Sequence, residues 1–366
     1  MEVHKEDPEE VFEMLEKLGE GSFGVVCKCR SKKDNKIYAV KVIEVEGEDD
    51  SAIRREIDIF SSLCDSDLVV RYGGCYRKGN NLLIAMEYCD AGSVQDVIKI
   101  RKRQLTEDQI AAICAQVVHA LVYLHSKHVM HRDIKSGNIL LTESGTVKLA
   151  DFGVSAKLQN TMAKKNTVIG SPYWMAPEYA AAATAAAAAT QRIISSKADE
   201  GYDMRADIWS LGITAIEMAD TEPPRYDIHY ARVIFIIAQK PPPTFKNEKE
   251  WSAQFLDFTA KCLQKDPKDR PTAKELLSRG MQNKAIVARL VGETLPLLEK
   301  YRREKAARGP EEQTDTFEDS DTIVRGMATV EIRGGLDETG NSGTFVETDF
   351  EVDKSGKGYK FTNLKV

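Results

Sequence analysis

The chain has 366 residues, 42% hydrophobic and 30% charged, with a formal net charge of −6. Single cores stop growing at roughly 250–300 residues, so this ordinary globular composition predicts more than one packed lobe. From Ala306 onward there are 13 acidic and 7 basic residues, against 44 of each before it, so no basic surface points to nucleic-acid binding.

The N-terminal arm, residues 1–11, is acidic where a targeting segment would be basic and then apolar. No apolar run approaches the roughly 18 to 20 residues a membrane span needs, and the expected compartment is cytoplasmic. The seven cysteines are scattered, with no Cys-x-x-Cys pair, which predicts reduced thiols rather than a disulfide framework or zinc site.

Phe12 to Lys33 reads as two strands joined by Gly19-Glu20-Gly21-Ser22-Phe23-Gly24. A lone Gly-x-Gly-x-x-Gly also occurs in dinucleotide folds, where a helix follows; here Val25 to Cys29 continues as a strand, so the segment is a hairpin. Glycines without Cβ atoms let such a hairpin lie close over phosphates. Ile37 to Ile43 is a strand carrying one lysine, Lys41, in an apolar run, and a charge there needs a partner. Ser51 to Leu63 has helical spacing and carries Glu56, the expected partner. Asp67 to Tyr76 and Asn81 to Tyr88 read as two more strands, after which Glu87 to Ser93 breaks into a polar linker.

Thr106 to Ser126 is an amphipathic helix with Thr106 as N-cap and apolar residues at Ile110, Ile113, Val117, Leu121 and Leu124. It precedes His131-Arg132-Asp133-Ile134-Lys135-Ser136-Gly137-Asn138. Two short strands, Ile139 to Leu141 and Val147 to Ala150, then set Asn138 and Asp151 at opposite ends of one hairpin, with Phe152-Gly153 following. Phosphoryl transfer requires a hydroxyl held in line and oxygen charge neutralised by metal and cations. Asp133 suits the hydroxyl. Asn138 and Asp151 offer the hard oxygens that Mg²⁺ prefers, and Lys135 can reach the phosphoryl group.

Gln159 to Ser171 is polar, without helical periodicity. A phosphate on Thr167 would add roughly −1.5 to −2 charges, with Arg132 as the expected cation to receive it. Ala176-Pro177-Glu178 closes this segment, and Glu178 is expected to pair with Arg270. Ala180 to Ala189, inside an insertion spanning 179–201, is helix-prone but has no amphipathic face; it reads as a mobile low-complexity loop, with a docking element as the alternative. Trp251 to Lys265 and Thr272 to Arg279 are helical, as is Lys284 to Lys305, which Gly292 and Pro296 should bend or divide. The acidic tail beyond Ala306 is expected to be disordered.

These motifs resemble the germinal-centre kinase group, and within it the Hippo-type serine/threonine kinases. The resemblance rests on His131 to Asn138, Asn166-Thr167-Val168-Ile169-Gly170, Tyr173 to Glu178, Asp207 to Ala219 and Pro241 to Phe245, and covers about Phe12 to Ser278. It implies an α+β, bilobal kinase fold: a mainly β small lobe at 12–88 and a mainly α large lobe at 89–283, followed by a helical extension at 284–305 and the tail at 306–366. It also implies ATP and Mg²⁺ as cofactors and protein serine or threonine as acceptor. Asp133, Lys135 and Asn138 would be catalytic, and Asn138 and Asp151 would hold metal. Leu18, Gly19, Gly21, Gly24, Val26, Ala39, Lys41, Glu56, Met86, Glu87, Cys89 and Leu140 would form the nucleotide site, with Met86 as gatekeeper and Lys41 on the α- and β-phosphates. Thr167 would be the activating phosphosite.

Ser171 stands where the resembled kinases carry threonine. In the tail, Thr322, Thr329 and Thr344 resemble sites that recruit phosphopeptide-binding adaptors; ordinary unmodified threonines remain the alternative. No heptad run follows Arg308, which leaves the oligomeric state open. The alternatives to a Hippo-like signalling kinase are an upstream activator of a stress-type cascade and a pseudokinase scaffold. A scaffold usually lacks one of Lys41, Asp133, Asn138 or Asp151, and all four are present.

Overall fold

Five strands alternating small, branched and polar residues make an antiparallel sheet: β1 (Phe12–Gly21), β2 (Gly24–Ser31), β3 (Ile37–Glu44), β4 (Tyr72–Lys78) and β5 (Asn81–Glu87), in the order β1-β2-β3-β5-β4. In this computed structural model the described residues are 4, 6–21, 24–44, 61–63, 65–151, 172–188, 204–277, 283–307, 350–352 and 359–361. Register decides which side chains meet. Cys27, Val40 and Ala85 lie directly opposite one another across β2, β3 and β5 and bury one face of the sheet with Val11, Cys29 and Tyr76. Strand side chains alternate faces, so Ala39 and Lys41 point to the other side, in register with Val26, Ile84 and Met86. A short helix, α1 (Pro8–Val11), is capped by Asp7, and ahead of it the His4 N–H donates to the Cys75 carbonyl on edge strand β4 at 2.8 Å.

The second lobe is helical. Helices α2 (Val94–Arg101) and α3 (Glu107–Ser126) both begin with a capping box, Ser93 with Asp96 and Thr106 with Gln109. The predicted α3 stripe, Ile110, Ile113, Val117, Leu121 and Leu124, is fully buried. Among the described residues, α3 is the one helix long and apolar enough, by length and composition, to cross a membrane. Counting uninterrupted apolar residues overlooked it, because polar Gln116 and His119 punctuate the run; its burial is that of a core helix. Strands β6 (Ile139–Leu141) and β7 (Val147–Leu149) form a hairpin packed on α3, followed by α4 (Pro177–Ala188), α5 (Arg205–Asp220), α6 (Tyr230–Gln239), α7 (Ala253–Cys262), α8 (Ala273–Leu277) and α9 (Lys284–Ala307). Helix α5 is buried at every position from Ala206 to Ala219.

Two expectations need correction. The first part of the alanine-rich insertion is helix, not loop, since α4 runs from Pro177 through Ala188; proline at the first position and the strongest helix former after it extend the turn begun at Pro177. Helix α9 is not divided at Gly292 or Pro296 but runs on across both. Val287, Leu290 and Val291 before the proline and Leu298 after it are all buried, so packing on both sides offsets the one lost backbone bond. In the acidic tail, β8 (Phe350–Val352) and β9 (Tyr359–Phe361) pair antiparallel, with Phe350 opposite Phe361 and Glu351 opposite Lys360. Among the described residues six cysteines are free and buried.

Candidate active site

Lys41 and Asp151 bring the two lobes together. Lys41 on β3 is 4% exposed, and its Nζ lies 2.7 Å from Asp151 Oδ1. The expected partner Glu56 lies outside the described residues, as does Thr167. The same strand face carries Val26, opposite Lys41, and Ala39, opposite Met86. In the glycine hairpin, Gly19 and Gly21 pair with Val26 and Gly24, and an irregularity between Lys17 and Gly19 leaves Leu18 out of the ladder. Gly24 has φ +114°, and a Cβ there would come 1.9 Å from the Val42 carbonyl oxygen. Gly19 has open space where a side chain would be.

At the end of β5 the chain is tied to the second lobe. Glu87 receives the Lys148 ammonium of β7 at 3.0 Å and pairs its backbone N–H with the Arg71 carbonyl at 2.9 Å. Cys89 is buried, and burial pushes its thiol up to about 12, so it stays protonated. Leu140 on β6 is half-buried against the core that includes Met86.

The loop from His131 to Asn138 hangs from α5. Asp207, 1% exposed, accepts the N–H groups of His131 and Arg132, each at 2.9 Å, and faces His125 Nε2 at 2.9 Å. Burial alone would raise its carboxyl, yet the His125 hydrogen bond and nearby imidazoles hold it below the usual carboxylate range. Arg132 has φ 72° and Asp151 φ 57°, left-handed conformations that cost energy in non-glycine residues and persist where surroundings over-determine them. Glu217, also on α5 and buried, accepts from Ser136 N–H at 3.1 Å, Ser136 Oγ and Trp174 Nε1 at 2.9 Å. Burial raises its carboxyl despite these donors. Buried Gln116 of α3 holds the hairpin, donating to the Gly145 carbonyl at 3.1 Å and accepting from Val147 N–H at 3.0 Å.

Within that frame, Asn138 Nδ2 donates to the Asp133 carbonyl and to Asp133 Oδ2, both at 2.8 Å. Lys135 Nζ lies 3.3 Å from the same carboxylate oxygen. Because β6 and β7 pair antiparallel, Asn138 and Asp151 are not at opposite ends of the hairpin. They meet at its open end, where Ala150 N–H donates to the Asn138 carbonyl at 3.0 Å. Asp133, Lys135 and Asn138 thus form one group and Asp151 with Lys41 a second, the two tied through the backbone bond between Ala150 and Asn138. Glu178 and Arg270 pair as expected, in a two-pronged contact at 2.9 and 3.0 Å.

Asp207, Glu217 and Gln116 were not singled out from sequence, although a signal existed. A carboxylate inside an otherwise apolar helix such as Asp207 to Ala219 must be paired. The sequence does not say with what.

Residues 12–280 match the family model described as protein kinase domain. The chain is 46% identical over 311 residues to the serine/threonine-protein kinase dst4 of Dictyostelium discoideum, an alignment covering 83% of this chain and 61% of that protein. It is 45% identical over 341 residues to dst3 of the same organism, covering 89% and 58%. To the serine/threonine-protein kinase hippo of Drosophila melanogaster it is 48% identical over 306 residues, covering 82% and 43%. The chain therefore spans less than two thirds of the length of these relatives.

Proposed function

From the premise that this chain belongs to the protein kinase family, we propose that it is a serine/threonine kinase passing the γ-phosphoryl group of ATP to protein hydroxyls in a Hippo-like signalling cascade. The observation that carries this reading is the convergence of Lys41 on Asp151 and of Asn138 and Lys135 on Asp133. Asp133 takes the proton of the acceptor hydroxyl, while Lys135 and Lys41 balance phosphate charge. The donor set suits magnesium. Asp151 offers a carboxylate, and buried Asn138 directs its amide nitrogen at Asp133, while its oxygen accepts no hydrogen bond from the described residues. When bound, the metal neutralises charge on the transferring oxygens. Glu87 and Cys89 hold the adenine edge through their backbone, and Val26, Ala39, Met86 and Leu140 enclose its faces.

Thr167 phosphorylation is the switch of this reading, received by Arg132, whose backbone N–H is already fixed by Asp207. The decisive experiment is phosphate transfer from labelled ATP to a peptide panel, with Asp133→Asn as control. Equal transfer by both preparations would end the enzymatic reading. Wild-type turnover by Thr167→Ala with an unphosphorylated loop would end the regulatory one.

A further inference from the structure

We propose that Arg302, on the C-terminal helix, is a positioning residue for nucleotide binding: it braces the linker between the lobes through Tyr88 and Asp90. This rests on the kinase reading and deepens it. Helix α9 starts far from the linker. Its first turn lies on the β6–β7 turn, where a Cβ on Gly145 would come 2.3 Å from the Lys284 carbonyl oxygen. Val287, Leu290, Val291, Thr294 and Leu298 then form one buried stripe, and Arg101 of α2 ties to Glu293 at 3.0 Å and to Thr294 at 3.2 Å. At about 1.5 Å per residue the helix advances roughly 27 Å from Lys284 to Arg302, and its far end arrives at the linker.

There Arg302 Nη1 donates to Tyr88 Oη at 3.2 Å and to the Asp90 carbonyl at 3.3 Å. Both partners are linker groups. Tyr88 has a second cationic partner, because Lys28 Nζ of β2 sits over its ring, 4.8 Å from the centroid, within cation–π range. One phenol therefore joins a small-lobe strand to the C-terminal helix. Asp90 is held twice more, its Oδ1 accepting from Ala91 N–H and from Glu143 N–H, each at 3.1 Å. Between these two anchored residues lies Cys89, whose backbone is assigned to adenine. A guanidinium that fixes the residues on either side pre-organises that backbone, and pre-organisation lowers the ordering cost of binding.

The test is fluorescent ATP-analogue binding to the full chain with Mg²⁺, beside steady-state kinetics and hydrogen exchange of the 87–91 amides without nucleotide. Arg302→Ala is expected to weaken nucleotide binding and raise KM for ATP about threefold to tenfold, the scale of one ordinary hydrogen bond lost from the pre-organised linker. The kcat and the KM for peptide should hold, and linker exchange should accelerate. Tyr88→Phe should reproduce part of the effect and add nothing in the Arg302→Ala background; it also reports should Arg302→Ala fail to fold. Unchanged nucleotide affinity in either folded variant, or additive effects of the pair, would overturn the brace. A wild-type chain that binds no nucleotide while Arg302→Ala still accelerates linker exchange would sink the kinase reading and leave the mechanical contact standing. Slow exchange in both would sink the contact itself.

Discussion

Asn138 donates to Asp133 twice, once to its backbone carbonyl and once to its carboxylate, both at 2.8 Å. The amide that would offer metal its oxygen also fixes the group that would receive the substrate proton. Asn138→Ala should therefore lower kcat by about 10²-fold, the scale of one lost preorganised polar group, and raise the Mg²⁺ concentration needed for half-maximal rate. Steady-state kinetics across a magnesium titration checks both, and an unchanged magnesium requirement would remove Asn138 from the metal set.

His131 should make stability depend on pH. Burial lowers its pKa, and its Nδ1 accepts the Asp133 N–H at 3.3 Å, which requires that nitrogen to be unprotonated. The unfolded chain takes up a proton there below about pH 6.5 that the folded chain resists, so unfolding free energy falls as pH drops from about 6.5 toward the lower folded value. Depression of the Asp207 carboxyl acts only in a more acid window, below about pH 4. Urea titrations from about pH 6.5 down to about pH 4 should show a slope that His131→Phe flattens; an equal slope in both proteins would refute the assignment.

Arg270 is 1% exposed and holds Glu178 with two nitrogens, as well as the Arg205 carbonyl at 2.9 Å and the Gln264 carbonyl at 3.0 Å. Glu178→Ala strands this buried cation and should cost about 3 kcal/mol or more. Chemical denaturation reads it directly. A loss under about 1 kcal/mol would mean the two carbonyls suffice.

Two glycines of one motif should behave differently. Gly24→Ala forces a side chain into the Val42 carbonyl at a φ of +114° and should cost about 1–3 kcal/mol. Gly19→Ala meets no atom within 4 Å and should shift stability by less than about 0.5 kcal/mol. Thermal unfolding of both variants compares them; equal losses would show that loop entropy, not the contact, governs the hairpin.

Much of the site was legible because its chemistry demands particular residue types at short spacing. Asp133, Lys135 and Asn138 fall within one loop, and their cluster needed only local chain geometry. Lys41 was legible as a buried charge needing a partner. The described partner, Asp151, is 110 positions away, and sequence spacing has no means of pairing such residues. Asp207 and Glu217 were hidden for a related reason: each serves backbone or side-chain donors about 75 to 82 positions earlier, and a donor on the backbone leaves no mark in the residue code.

The sequence alone determined β1 to β7, the helices α3, α7, α8 and α9 and the reactive groups, since periodicity, capping and chemical identity are local properties. Tertiary structure decided which distant groups neutralise one another. It brought Asn138 and Asp151 together at the open end of a hairpin, and it kept α9 whole through Pro296. It also carried Arg302 to Tyr88, a contact across 214 positions. The physical reason is common to all of these: burial makes an unpaired charge or backbone group costly, and only the folded packing determines which partner lies close enough to satisfy it.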